Sequence, residues 1–89
     1  MIKLIRAKHQ HDYVIELEFS DGSTGDYDVA PLIARDTELT RPLKDLEQFT
    51  RFFIDLGALC WPGGLELNPE AIQRRLREAG ALRKTTRVA

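Results

Sequence analysis

An alternating stretch near the start of the chain constrains the fold more than any other feature. Every second residue of one run is apolar, namely Tyr13, Ile15, Leu17 and Phe19. This period of two is typical of a strand with one dry face and one solvated face. Asp21-Gly22 follows, and a second run then alternates around Tyr27. Because Asp-Gly between alternating runs favours a tight turn, the stretch predicts a β-hairpin.

The length of the turn decides which residues face each other across this hairpin. A two-residue turn would pair Leu17 with Asp26 and place carboxylates beside the apolar row, since directly paired residues share a face. An odd-numbered loop, either residues 21–23 or one residue wider at each end, pairs Leu17 with Tyr27 instead. Burying an unpaired carboxylate costs on the order of several kcal/mol, more than a turn preference contributes. We therefore expect the odd loop, with all the apolar side chains on one face.

Shorter elements are predicted around the hairpin. They are a strand over residues 2–8 paired antiparallel with the next, a polar connector over 9–12, one helical turn or irregular corner over 30–34, a short helix opened by Pro42, and a second hairpin over 51–61 around Gly57. In that second hairpin Phe52 and Ile54 share one parity and Phe53 has the other. This arrangement predicts a strand that is covered on both faces.

The clearest helix start in the chain is Asn68-Pro69-Glu70. Asn is a preferred N-cap, Pro suits the first helical position, and Glu complements the positive end of the helix dipole. Gly80 is suited to the position just beyond the end of this helix. Little holds the chain after that point, so we expect one domain over residues 1–80 and a basic, disordered tail over 81–89.

Together these elements predict an α+β fold: a mostly antiparallel β-sheet built from hairpins, with short helices and a C-terminal helix packed on one face. The length of 89 residues suits a single domain, and such a chain buries only about 60% of its unfolded surface. Formation of a homodimer is one remedy for so small a core. The predicted core residues are Leu4, Ile15, Leu17, Phe19, Tyr27, Leu43, Phe49, Ile54, Trp61, Ile72 and Leu76.

The chain shows no sign of export or membrane insertion. Met1 leads directly into a strand pattern, without the apolar segment of a signal peptide, and no run reaches the ~18 apolar residues of a membrane span. The single cysteine, Cys60, excludes an internal disulfide and favours a reducing compartment. We therefore expect a soluble, cytoplasmic protein that does not contact membranes.

The order and spacing of several motifs resemble the small bacterial domain-of-unknown-function family 2442. The resemblance covers about residues 1–72 and implies a small α+β domain with an antiparallel sheet and short helices. Similar domains occur alone or joined to a helix-turn-helix segment, for which this chain has no room after Gly80. Some are encoded beside another small domain, in arrangements that look like toxin–antitoxin pairs. The motifs are the alternating run from Tyr13 to Asp28, Pro31-Leu32, Pro42-Leu43-x-Asp45 with Phe49, Trp61-Pro62-x-Gly64 and Leu67-x-Pro69-Glu70.

No catalytic, cofactor or metal site is expected. Cys60 lies in an apolar run, where a thiol usually serves as packing. His9 and His11 would need further ligands to hold a metal, and they are typical of a solvated turn. The glycines match no phosphate-binding loop, and the resemblance brings no catalytic residues with it. We therefore expect that the protein is not an enzyme.

Two hypotheses about function follow from the distribution of charge. In the first, the protein is an interaction module whose acidic hairpin face binds a basic partner, another small protein; the resemblance implies a toxin–antitoxin-like pair. That face consists of Glu16, Glu18, Asp26 and Asp28. In the second, the basic C-terminal helix and tail bind nucleic acid, as in an accessory protein of transcription regulation. The residues concerned are Arg74, Arg75, Arg77, Arg83, Lys84 and Arg87, and no aromatic residue stands among them.

Overall fold

The computed structural model describes residues 1–84, which form two antiparallel sheets and several short helices. The strands are β1 Leu4–His11, β2 Val14–Phe19, β3 Ser23–Asp28, β4 Phe53–Asp55, β5 Ala58–Cys60, β6 Glu66–Leu67 and β7 Leu82–Lys84. The helices are α1 Ala30–Ile33, a 3-10 helix over Arg41–Lys44, α2 Leu46–Phe49 and α3 Pro69–Glu78. The first sheet has the order β1-β2-β3-β7 and the second the order β4-β5-β6. The predicted α+β fold is confirmed.

The β2–β3 hairpin has an odd-numbered loop, and its apolar side chains share one face, as predicted. Its register differs from the predicted one by two residues, because Leu17 lies opposite Gly25 and not opposite Tyr27. The loop is therefore residues 20–22, one position earlier than expected. Gly22 explains the shift: it has a φ of 87° and its N–H donates to the carbonyl of Phe19 at 2.9 Å, which closes the turn there.

Close packing of α3 on β3 requires a glycine at position 25. A Cβ atom built on Gly25 would lie 2.9 Å from Leu76 Cδ1 and 3.0 Å from the carbonyl oxygen of Ala81. The first distance involves the end of a side chain, but the second involves backbone that cannot move freely. The helix and the segment that follows it thus rest directly on the backbone of β3, and any larger residue would push them away.

A buried polar cluster joins the hairpin turn to α3. The Gln73 side chain, which is buried, donates to Asp21 Oδ2 and to Ser23 Oγ, both at 3.0 Å. Ser23 in turn donates to Asp21 Oδ1 from its hydroxyl at 2.6 Å and from its backbone N–H at 3.0 Å. These two hydrogen bonds from Ser23, the hydroxyl's first, hold the pKa of Asp21 below its usual value. The two hydrogen bonds from Gln73 therefore attach the turn to α3.

Residues 81–84, the first part of the predicted tail, continue the fold. Gly80, at a φ of 69°, donates to the carbonyl of Arg77, and Ala81 donates to that of Leu76 at 2.8 Å. This pair of bonds is the Schellman motif, which reverses the chain after a helix. Strand β7 then pairs antiparallel with β3 and extends the first sheet. The rest of the predicted tail, residues 85–89, lies outside the described residues.

The core forms between the dry face of the first sheet and the helices and second sheet that cover it. All the predicted core residues are buried except Ile54, which is only half-buried. Phe53 is 45% exposed, so the prediction that β4 is covered on both faces is wrong. Three further core residues, Val29, Ile33 and Leu59, follow from the way α1 and β5 pack on the sheet. Val29 continues the alternation of Tyr27, whereas Ile33 and Leu59 lie in runs too short to show a period in the sequence.

Strand β1 is longer than predicted and includes most of the segment interpreted as a polar connector. It extends to His11, which pairs with Val14, so only residues 12 and 13 connect it to β2. The His9 ring lies edge-on to Phe49, with centroids 6.1 Å apart. Phe49 also packs against Trp61, whose indole N–H donates to the Phe49 carbonyl at 2.7 Å. Packing of His9 against Phe49, which in turn packs on Trp61, therefore helps to position the polar end of β1.

Substitution of Gly25 tests the close approach of α3. We expect Gly25→Ala to lower the free energy of unfolding by about 1–3 kcal/mol, because the added methyl group has no space. Gly63→Ala is the matched control, since a Cβ there meets nothing within 4 Å; it reduces the entropy of the unfolded chain in the same way without a clash. Urea denaturation measures both variants. Equal unfolding midpoints for the two would show that α3 does not rest on β3 at this position.

Candidate interaction surfaces

The four acidic residues proposed as a partner-binding face all lie on the solvated side of the first sheet. Glu16 pairs directly with Asp26 across the β2–β3 hairpin, and both Asp26 and Asp28 are exposed. Glu16 and Glu18 are half-buried by the long side chains around them. The separation of apolar and acidic faces is therefore as predicted.

The neighbouring strands bring cations to this face and compensate most of its negative charge. Strand β1 places Arg6 opposite Glu18 and Lys8 opposite Glu16. Arg6 Nε lies 3.1 Å from Glu18 Oε1, and on the other side Arg83 Nη2 lies 3.9 Å from Asp26 Oδ1. Exposed pairs of this kind stabilise the fold by little, but they weaken the field that would attract a basic partner.

Asp28 is used locally as well. Its Oδ1 accepts a hydrogen bond from the backbone N–H of Ala30 at 3.0 Å, at the start of α1. The carboxylate thus satisfies one of the free N–H groups at a helix start. Partner binding by the four acids stays a prediction, with most of their charge already engaged within the chain.

The basic residues proposed for nucleic-acid binding do not form one surface within residues 1–84. Helix α3 lies on the dry side of the first sheet, and its Arg74, Arg75 and Arg77 point away from the core on that side. Arg83 lies on the opposite side, beside Asp26. Lys84 is exposed at the edge of the sheet, and Arg87 lies outside the described residues. A run that is continuous in sequence is thus divided by the sheet.

The histidines and the cysteine have local structural roles. His9 Nε2 lies 2.8 Å from the carbonyl oxygen of Asp12, and His11 Nδ1 lies 3.0 Å from its carboxylate. Among residues 1–84 no three potential metal ligands come together. Burial, and to a lesser degree the nearby carboxylate of Glu66, raises the pKa of the Cys60 thiol, which keeps it protonated and a poor nucleophile.

The most unusual exposed residue is Leu56, in the turn between β4 and β5. Asp55 pairs with Ala58, so the turn has only two residues, Leu56 and Gly57, with φ values of 50° and 83°. Positive φ at both positions defines a type I′ turn, in which Asn, Asp or Gly normally stands first. Leu56 is also 89% exposed. A large apolar side chain is therefore in a strained backbone conformation and in water, and both conditions disfavour it.

An apolar cleft adjoins Leu56. The backbone N–H of Leu4 donates to the carbonyl of Gly57 at 2.8 Å, which places the turn beside the start of β1. Between them and the start of α3 lies a cleft of about 420 Å³. We call its apolar lining the Leu56 surface: Met1, Ile2, Leu56, Ala58 and Pro69. The polar residues around it are Lys3, Glu66, Asn68 and Glu70.

The strand parity of Phe52 and Ile54, continued to Leu56, would point this side chain toward the core, but the position of Gly57 in the sequence indicates otherwise. A hairpin with Gly57 as its second turn residue leaves position 56 in the turn, where a side chain has no core to enter.

The comparison with known families agrees with this fold. A family model described as Protein of unknown function (DUF2442) matches residues 4–78. The chain belongs to this family. The part matched to DUF2442 includes both sheets except β7, and it includes the Leu56 turn. Searches of curated proteins and of solved structures found no match. Within residues 1–84 no helix is long and apolar enough to cross a bilayer.

The strain at the β4–β5 turn can be measured through Leu56→Asn. We expect this variant to raise the free energy of unfolding by about 1 kcal/mol, because Asn adopts positive φ at lower cost and no buried contact is lost. Leu39→Asn is the control: Leu39 is also exposed, but its φ is not positive. Urea denaturation should show a gain for the first variant only. Identical midpoints for Leu56→Asn and the unmodified chain would exclude strain at this turn.

Proposed function

We propose that this protein is a non-catalytic, cytoplasmic interaction module that binds a second small protein through the Leu56 surface. The observation that carries the proposal is the placement of Leu56, 89% exposed at a positive-φ position where a smaller polar residue would stabilise the fold. Residues that break a local rule without a structural gain are concentrated at functional sites. Binding a partner would offset the exposure of this side chain.

The geometry favours an apolar anchor over charge attraction as the main source of affinity. Affinity at protein interfaces is concentrated in a few large side chains that enter pockets and are shielded from water. The Leu56 surface offers both parts, a protruding Leu56 and, beside it, a cleft with Ile2 and Pro69 among its apolar lining residues. The solvated face of the first sheet, which is lined by charged side chains, offers neither.

The rim of the cleft indicates the chemistry of the partner. Glu66 and Glu70 line it, and within residues 1–84 neither forms an ion pair; Lys3 and Met1, which carries the amino terminus, line it as well. The rim therefore carries charges of both signs, and its two carboxylates are open to a cation. A partner segment that places an apolar side chain in the cleft and a Lys or Arg at Glu66 or Glu70 would complement it in shape and in charge. The family resemblance suggests that this partner is a small protein encoded by an adjacent gene, in a toxin–antitoxin-like pair.

Co-expression with the product of the adjacent gene tests this function. The dissociation constant is measured by calorimetry for the unmodified chain, for Leu56→Asn and for the double variant Glu16→Gln, Asp26→Asn. We expect Leu56→Asn to weaken binding by about 2 kcal/mol, roughly thirtyfold, and the double variant to bind normally. The complex should also persist at about 0.5 M NaCl, where exposed charges are largely screened.

Three results would contradict the proposal. One is a complex that dissociates at high salt and is lost in the charge variant but not in Leu56→Asn. That pattern would assign partner binding to the acidic residues of β2 and β3. Another is a homodimer of this chain that Leu56→Asn disrupts, which would assign the surface to self-association. A third is the absence of any complex with the neighbouring protein.

A further inference from the structure

A second cleft lies between α1 and α3, at the end of β3, and shares no residue with the Leu56 surface. Its volume is about 210 Å³, and Tyr27, Asp28, Pro31, Leu32, Arg35 and Arg75 line it. Its apolar parts come from the Pro31-Leu32 corner and the ring of Tyr27. Its polar parts are two guanidinium groups, one carboxylate and a phenol.

Neither guanidinium in this cleft has an acidic partner. Arg35 and Arg75 form no ion pair within residues 1–84, whereas Arg6, Arg41 and Arg51 each pair with a carboxylate. Arg75 Nη1 donates a hydrogen bond to the Tyr27 hydroxyl at 3.5 Å. Two unpaired guanidiniums on one cleft are suited to bind an oxyanion, because each presents a planar set of donors.

The net charge of the cleft selects a monoanion. Asp28 lines it but directs Oδ1 to the backbone N–H of Ala30 and makes no ion pair with either arginine. Two guanidiniums and one carboxylate leave one positive charge. A carboxylate balances this charge, whereas the second charge of a phosphate would be repelled by Asp28.

The volume and the apolar lining limit the rest of the ligand. A space of 210 Å³ equals about seven waters of the bulk liquid, which is enough for one aliphatic side chain with its carboxylate. We propose that the cleft between α1 and α3 binds an apolar carboxylate, with Arg35 and Arg75 on the oxyanion and Pro31, Leu32 and Tyr27 around the apolar body. Such a group is found at the C-terminus of a chain that ends in an apolar residue, and in free aliphatic acids.

Titrations followed by NMR of the ¹⁵N-labelled full chain test this site. The probes are N-acetyl-leucine, which represents a peptide C-terminus, and 4-methylpentanoate, which represents a free acid. N-acetyl-leucinamide has the same apolar body without the carboxylate, and acetate has the carboxylate without the body. We expect saturable shifts at residues that line the cleft with one or both of the first two probes, and none with the amide. The tighter of the first two identifies the source of the natural ligand.

Variants of the arginines separate a specific site from a general basic surface. Arg35→Gln and Arg75→Gln should each weaken binding about tenfold or more, because each removes a charge-assisted hydrogen bond. Arg74→Gln is the control, since Arg74 is exposed on the same helix but does not line the cleft. Unchanged urea midpoints for the three variants would show that folding is intact.

The proposal is overturned if the amide shifts the same residues as N-acetyl-leucine, or if inorganic phosphate binds more tightly than the carboxylates. It is also overturned if Arg74→Gln weakens binding as much as Arg75→Gln does. Because the probes bind without any partner protein, failure here leaves the proposal for the Leu56 surface unaffected.

Discussion

The contact between Leu76 and the bare backbone at Gly25 is the interaction on which the rest of the structure depends. A Cβ atom at position 25 would lie 2.9 Å from Leu76 Cδ1, so α3 packs closer to β3 than any residue with a side chain at this position would allow. That closeness brings the Gln73 amide within 3.0 Å of Asp21 and Ser23. It also places the chain after Gly80 beside the edge of β3 that does not pair with β2, where β7 forms. Helix, turn and final strand are therefore one connected unit.

The sequence predicted the features that depend on local period and on single residues with strong preferences. The alternation of Ile15, Leu17 and Phe19 identified the dry face, and Asn68-Pro69 identified the start of α3. The same reasoning found nearly all of the core, because burial follows directly from these patterns. The DUF2442 family match supports the same architecture.

Features that arise from tertiary contacts could not be predicted in this way. The attachment of the β2–β3 turn to α3 depends on Gln73, which is distant in the sequence, and β7 forms because the chain after Gly80 turns toward the edge of β3. The acidic hairpin face loses part of its net charge to Arg6 and Lys8, which belong to a separate strand. The net charge of the hairpin sequence thus differs from the net charge of the sheet face, to which other strands contribute side chains.

The two proposed binding surfaces differ in what supports them. At the Leu56 surface, the positive φ and the exposure of Leu56 destabilise the folded state. Binding of a partner would offset that cost. In the cleft between α1 and α3 no residue is strained, and the support comes from two arginines that form no ion pair among the residues the structure describes. The Leu56 surface shares no residue with the solvated face of the first sheet, whereas the cleft between α1 and α3 meets that face at Asp28.

The most direct test of the central contact is a set of nuclear Overhauser effects in the labelled protein. The structure predicts that the methyl groups of Leu76 show effects to the α protons of Gly25, and that cross-strand effects join Leu17 to Gly25. Backbone effects that pair Leu17 directly with Tyr27, with the Leu76 methyls away from Gly25, would contradict this account.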